Sequence, residues 1–369
     1  MQRRKRVLQI CHDYKGPFRI IARQYAASFS DCEVKTVFLR GSHSASVAES
    51  IQGEVEFLTM APRSLRGLKL SALKQLQDMI GDAVPDIIIA HRYKPFYLAS
   101  LLNRKFEIRL VLGVMHEYGF LDRQMRALYS RFWPKNIELI GVSKPVCQSI
   151  TSRHAHLKGR VHCLQNSIEV EQPHLDPVSA RHELGIPLGK YCFGVVGRLV
   201  AKKNHRQLIT AFSHYDGDAV LALVGDGPLA EELSAQVTEL QLMDRVIFCG
   251  HHPDASKLMK AFDCLVLPST AEEAFGLVLL EAMAASVPIL SSDAPGPASV
   301  VGDTGILFRT DDTNALAEGL RRMQNLTRSE TGALTDRALH RFKQDFSIGA
   351  SVANLRGLPA VAATVPIDI

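Results

Sequence analysis

The stretch PSTAEEAFGLVLLEAMAASVPIL, residues 268–290, holds two carboxylates, Glu273 and Glu281, inside an otherwise apolar run. Acidic groups are costly in such surroundings unless they are paired or hold something. The strand-like CLVLPS ends at Ser269, and the helical FGLVLLEAMAA starts near Phe275 or Gly276. Glu273 therefore lies in the loop before a helix, and Glu281 about a turn and a half inside it. On a fully helical path their α-carbons are about 12 Å apart and their side chains diverge by roughly 80°. A glycosidase pair needs carboxyl groups about 5–9.5 Å apart across one bond. The spacing suits two contacts on one long, hydroxyl-rich ligand better. Between them, the free amides of the helix N-terminus favour an anion such as a phosphate. The plainer alternative is one capping glutamate and one on a helix face.

A second group lies in VVGRLVAKKNH, residues 195–205. A buried strand ends at Gly197-Arg198 and a helix begins near Lys203, so Arg198 and Lys203 share one strand-to-helix loop. A planar guanidinium fork and a point-charge ammonium together suit a diphosphate; two solvated surface cations are the alternative. In LVGDGPLAEEL (223–233) a Gly-x-Gly opens like a dinucleotide fingerprint, but the third glycine is missing and RVIFCG ends without an acidic residue. Only a tight turn that lets backbone approach a ligand is read there. Asp216 and Asp218 in HYDGDAV have the Asp-x-Asp spacing of metal-dependent glycosyl transfer, but they precede a strand and include an Asp-Gly turn pair. His251-His252 lacks companion ligands, so no metal is expected.

These groups need strands to present them. Short apolar runs alternate with amphipathic stretches, the pattern of parallel α/β sheets. Expected strands in the first half are 6–11, 33–39, 86–91, 109–116, 137–143 and 161–168; in the second, 192–199, 219–227, 245–250, 264–269 and 288–293. Helices are expected at 202–215, 228–241 and 276–286. About eleven strands exceed a comfortable single sheet, and a connector rich in charge and proline, EVEQPHLDPVSARHELGIP, sits mid-chain. Two doubly wound domains follow, with ligands outside the carboxyl ends of the strands.

The 369 residues are 46% hydrophobic and 22% charged, as in ordinary globular domains. No apolar run reaches the roughly 18 residues of a membrane span, and MQRRKRVLQI enters a strand without a signal-peptide core. Seven scattered cysteines without a CxxC pair indicate neither a disulfide framework nor zinc. A cytoplasmic location is expected. Residues 1–165 carry 26 Lys+Arg against 13 Asp+Glu, whereas 166–369 carry 17 against 25. The first half is thus suited to an anionic partner. Nucleic acid is disfavoured, because no aromatic-basic repeat accompanies the charge.

The ordered series GRL-x4-KN, VGDGP, VIFCG, LPS-x3-E-x-FGL-x4-EAMA-x3-P resembles the nucleotide-sugar domain of retaining GT-B glycosyltransferases, glycosyltransferase family 4. The resemblance is clear from about 190 to 310 and weaker in the N-terminal half. It implies an α/β GT-B fold, two Rossmann-like domains facing across a cleft. The boundaries are 1–168 for an acceptor-binding domain and 169–345 for a donor-binding domain, with 346–369 expected to pack back on the first. By the same resemblance, Arg198 and Lys203 bind the donor diphosphate, Glu281 the ribose, and Glu273 the transferred sugar. Phe275, Gly276 and Leu277 offer backbone amides, and His116 in VMHEYGF stands near sugar and acceptor. Arg198, Lys203, Glu273 and His116 are the implied catalytic set, with no metal or other cofactor. Departures are the single Gly16 in HDYKGPF where many members have a glycine pair, Ser286 as the turn residue after EAMA, and APGPASVVGDTG, which lacks the acidic residue many members place ahead of the T-G-x-L turn.

The expected activity is transfer of a sugar from a nucleoside diphosphate donor to a saccharide or lipid-linked acceptor, with retention, in bacterial polysaccharide or lipopolysaccharide biosynthesis. The rivals are a GT-B epimerase or hydrolase and a silent nucleotide-sugar-binding subunit. In FLDRQMRALYSRFWPK (120–135), Leu121, Met125, Leu128, Tyr129, Phe132 and Trp133 form one helical stripe beside Arg123, Arg126 and Arg131. Such a helix suits the anionic inner face of the cytoplasmic membrane; a core-packing helix is the alternative.

Overall fold

The computed structural model describes residues 3–16, 18–170 and 173–366. Pro17 of the first loop, residues 171–172 of the connector and the last three residues of the C-terminal segment lie outside that set. The chain divides into two compact units, residues 1–168 together with 348–369, and residues 169–347.

The first unit is built on a parallel seven-stranded sheet of order β3-β2-β1-β4-β5-β6-β7. Its strands are β1 (Arg6–Cys11), β2 (Glu33–Phe38), β3 (Glu54–Phe57), β4 (Ile87–His91), β5 (Leu110–Met115), β6 (Ile137–Gly141) and β7 (Val161–Cys163). Central strands such as β4 and β5 are buried throughout, as expected of parallel strands covered on both faces. The strand order reverses between β1 and β4, the switch point where open α/β sheets bind ligands. Helix Ile348–Arg356 returns to this unit and packs on helix Phe18–Ala27. Arg356 grips both oxygens of Asp31 at 2.8 and 2.9 Å. Gln24 accepts from the Ser167 amide at 3.1 Å and donates to Ser351 Oγ at 2.6 Å.

The second unit has six parallel strands in the order β10-β9-β8-β11-β12-β13. They are β8 (Tyr191–Val196), β9 (Ala219–Val224), β10 (Val246–Gly250), β11 (Cys264–Leu267), β12 (Ile289–Ser292) and β13 (Ile306–Phe308). Here the order reverses between β8 and β11. The unit runs on to Ser347 because Phe346, fully buried, packs edge-on against Phe275 with ring centres 6.1 Å apart.

Some expected elements come out differently. Strands β3 and β13 were not anticipated; EVEF alternates acids that pair with Lys35, and ILF is only three residues long. The run 161–168 is strand only to Cys163. The expected helix 202–215 begins as a short 3-10 turn, Ala201–Lys203, and becomes an α-helix over His205–Ser213. The 120–135 stripe is divided: only Gln124–Ser130 is helical. Leu121 and Trp133 are buried, Trp133 against Phe96 at 4.9 Å, while Met125, Leu128 and Phe132 are 75%, 51% and 66% exposed.

Candidate functional site

At the β8/β11 switch point the second unit collects its charged groups. The loop after β8 carries Arg198 and Lys203; the loop after β11 carries Glu273, and the helix Leu277–Ala284 carries Glu281. The two loops are joined by the Thr270 amide, which donates to Lys202 O at 2.9 Å. Lys203 Nζ lies 2.8 Å from Glu273 Oε2, and Lys202 Nζ lies 3.7 Å from the same oxygen. Glu273 is only 8% exposed. Burial disfavours its ionised form, but Lys203 and then Lys202 outweigh it and hold the carboxyl below its ordinary range. Glu281 is partly buried, and its carboxyl takes no hydrogen bond among the described residues. Burial pushes its pKa up to about 7, against the pull of Lys203. Lys203 therefore serves both carboxylates.

Arg198 is exposed, and its guanidinium has no partner among the described residues. Gly276, at φ +91°, caps the helix N-terminus. The amides of Phe275, Gly276 and Leu277 precede the helical ladder and donate to no group among the described residues. The Phe275 side chain itself belongs to the core. The switch point thus presents an unpaired guanidinium, an ammonium held by a carboxylate, three free amides and a Glu281 carboxyl about half protonated near pH 7. An anion flanked by hydroxyl groups matches that set.

In the first unit, His116 directly follows β5 and is partly exposed. Its Nε2 is 3.4 Å from Nδ1 of the buried His91 at the end of β4. Burial, then His91 and Arg92, push the His116 pKa well below its ordinary value, so the ring is neutral near pH 7. Gly16 sits in the β1-to-helix loop at φ +58°, and a Cβ there would meet nothing within 4 Å. Asp216 and Asp218 are exposed before β9, paired with Arg321 and Lys190, away from the carboxyl edge of the sheet.

Residues 179–332 match the family model described as Glycosyl transferases group 1. That match covers less than half of the 369-residue chain and falls within the second unit. The chain is 28% identical over 245 residues to a Campylobacter jejuni N-acetylgalactosamine-N,N'-diacetylbacillosaminyl-diphospho-undecaprenol 4-alpha-N-acetylgalactosaminyltransferase, covering 62% of this chain and 64% of that protein. It is 28% identical over 189 residues to the lipopolysaccharide core biosynthesis mannosyltransferase LpsB of Rhizobium meliloti, covering 48% and 53%. The chain thus spans less than two thirds of either relative. Among solved structures, Anabaena HepE in complex with UDP and glucose superposes with a TM-score of 0.81 at 20% identity, covering 96% of this chain and 98% of that one. The fold is GT-B, two Rossmann-like units, as the sequence resemblance implied.

Within the matched stretch, the Gly-x-Gly of 225–227 has a structural partner. A Cβ on Gly225 would lie 1.9 Å from Gly197 O, and one on Gly227 2.3 Å from Leu199 O. The backbone approached is the Arg198 loop itself, locked by Leu199 N donating to Asp226 O at 2.9 Å. Gly296 acts likewise, since a Cβ there would meet Glu273 O at 2.1 Å. Sequence reasoning passed over Lys202, Gly296 and His205; the last is buried beside Lys203, with its pKa lowered to about 4 by burial and then by Lys203. It also passed over His91, whose place after a buried run ending in histidine was the available signal.

Proposed function

We propose that this chain is a glycosyltransferase that moves a sugar from a nucleoside diphosphate donor to a saccharide or lipid-linked acceptor in bacterial polysaccharide or lipopolysaccharide biosynthesis, with retention of configuration. The observation that carries this reading is Lys203, 2.8 Å from Glu273, beside an unpaired Arg198 and a helix N-terminus with free amides. When the sugar leaves, charge develops on the diphosphate. Arg198, Lys203 and the helix terminus stabilise it without a metal. Glu281 takes the ribose hydroxyls and Glu273 those of the transferred sugar. Phe275, Gly276 and Leu277 donate amides, while His116 and the Gly16 loop contact sugar, phosphate or acceptor from the first unit. The first unit receives the acceptor and the second the donor. No side chain here is an evident nucleophile, so the departing phosphate accepts the acceptor's proton in a front-face attack.

The activities of the relatives support the donor and acceptor classes: one acts on a diphospho-undecaprenol, another in lipopolysaccharide core biosynthesis, and HepE holds UDP and glucose. A peripheral position on the inner face of the cytoplasmic membrane belongs to the same proposal. No helix among the described residues is long and apolar enough to cross a membrane. Met125, Leu128 and Phe132 are exposed beside Arg123 and Arg131. The test is a thermal-shift screen of nucleotide sugars, followed by product formation from the stabilising donor in excess chelator. Anomeric coupling in the product reads retention. Donor consumption equal with and without acceptor would instead indicate a hydrolase, and binding without consumption a silent subunit.

A further inference from the structure

A chain of hydrogen bonds in the first unit has a fixed direction. Gln9, on β1 and 1% exposed, donates from Nε2 to Ala22 O at 3.0 Å and to Thr36 Oγ1 at 3.2 Å. A backbone carbonyl only accepts, so the Gln9 amide cannot be turned over. Its Oε1 therefore accepts from His91 Nε2, 3.3 Å away. A neutral His91 with its proton on Nε2 has a bare Nδ1, and that atom faces His116 Nε2 at 3.4 Å. The proton between the rings must then belong to His116. Burial pushes the His91 pKa down to about 3, and His116 is likewise depressed, so neither ring gains a second proton near pH 7. The Tyr25 ring stands edge-on to His91 with centres 4.8 Å apart, and Phe18 does the same to His116 at 5.4 Å. His116 Nδ1 has no partner among the described residues.

We propose that Gln9 and His91 are positioning residues that hold His116 as its Nε2–H tautomer, so that Nδ1 offers a bare acceptor that selects a ligand hydroxyl group. This rests on the reading of His116 as a ligand contact. His116 then serves as a neutral acceptor for a sugar hydroxyl, not as an acid. A ligand group that only accepts hydrogen bonds finds no partner there.

Long-range 1H–15N NMR on the free, histidine-labelled chain at neutral pH tests the relay without any ligand. The expected spectrum has Nε2 protonated and Nδ1 bare on both His91 and His116. In His91→Phe, which keeps a ring of similar size, His116 should lose its fixed tautomer. In a transferase assay the same variant should lower kcat/KM about tenfold, as for one lost hydrogen bond, with nucleoside diphosphate affinity unchanged. A wild-type His116 carrying its proton on Nδ1, or a His116 tautomer unchanged in His91→Phe, overturns the proposal. The wild-type spectrum decides alone if the variant does not fold. A relay found intact in a chain without transferase activity counts against the function proposed above and leaves the positioning role standing.

Discussion

Lys203 lies 2.8 Å from Glu273 and also eases the ionisation of Glu281, so one ammonium is divided between two carboxylates. On the proposed function, a diphosphate entering the site takes a share of that ammonium. Lys203→Ala should therefore lower turnover by tens-fold or more, about 2 kcal/mol or above for a charge-assisted contact; near wild-type rates would rule the assignment out. Glu281 carries a pH signature. Its folded pKa of about 7 stands above the ordinary 4.5, so the folded chain keeps a proton that the unfolded chain has lost. The resulting stability is fully present below the unfolded value and is lost as pH rises through about 7. Its size is on the order of 2 kcal/mol after allowance for a partly exposed group. Urea melts at about pH 5 and about pH 8 should show this loss in wild type and not in Glu281→Gln. The two glutamates should also separate by ligand. Glu281→Gln should weaken free nucleoside diphosphate by about 1–3 kcal/mol, whereas Glu273→Gln should leave it nearly unchanged and cut turnover. Calorimetry with the product nucleotide checks both, and equal weakening would refute the division of roles. Chain position relative to strand ends made the loop and helix placement of these glutamates legible in the sequence. The Lys203–Glu273 pairing was not, because it joins residues seventy positions apart through the β8/β11 neighbourhood.

At the level of elements, long apolar runs such as β1, β4 and β9 were readable because both faces of a parallel sheet are buried. Strand β3 was not, since its acids are stabilised by Lys35 on the neighbouring strand and leave no apolar run. The 120–135 stripe misled for another reason: Leu121 and Trp133 flank the short helix and turn into the core, and periodicity alone cannot reveal that. The glycines of 225–227 were read as a tight turn that lets backbone approach a ligand; in the structure their bare α-carbons also let two loops approach each other. Gly225→Ala would press a methyl group against Gly197 O at 1.9 Å, at a φ of +147° that an L side chain rarely adopts. It should destabilise the fold by about 2–4 kcal/mol and weaken nucleotide binding through displacement of Arg198. Urea titration and calorimetry read the two effects, and a variant of unchanged stability would contradict the packing role.

Across the whole molecule, charge follows the division into units. Residues 1–168 with 348–369 carry 27 Lys+Arg against 14 Asp+Glu, and residues 169–347 carry 16 against 24. Each basic residue near an anionic surface contributes about 1 kcal/mol. Co-sedimentation with vesicles should therefore grow with anionic lipid, fall with salt, and weaken when Arg123, Arg126 and Arg131 become glutamine. Equal binding to neutral vesicles would exclude the membrane reading. The Asp31–Arg356 fork has a consequence of another kind, for the order of events on the ribosome. The chain from 169 to 347 emerges after most of the first unit but before helix Ile348–Arg356, which that unit needs. At about 5–20 residues per second, the earlier-made body waits roughly 10–40 s for its closing piece, while the later-made one can fold at once. Nascent chains stalled after Ser347 should resist protease over 169–347 and be cut readily within 1–168.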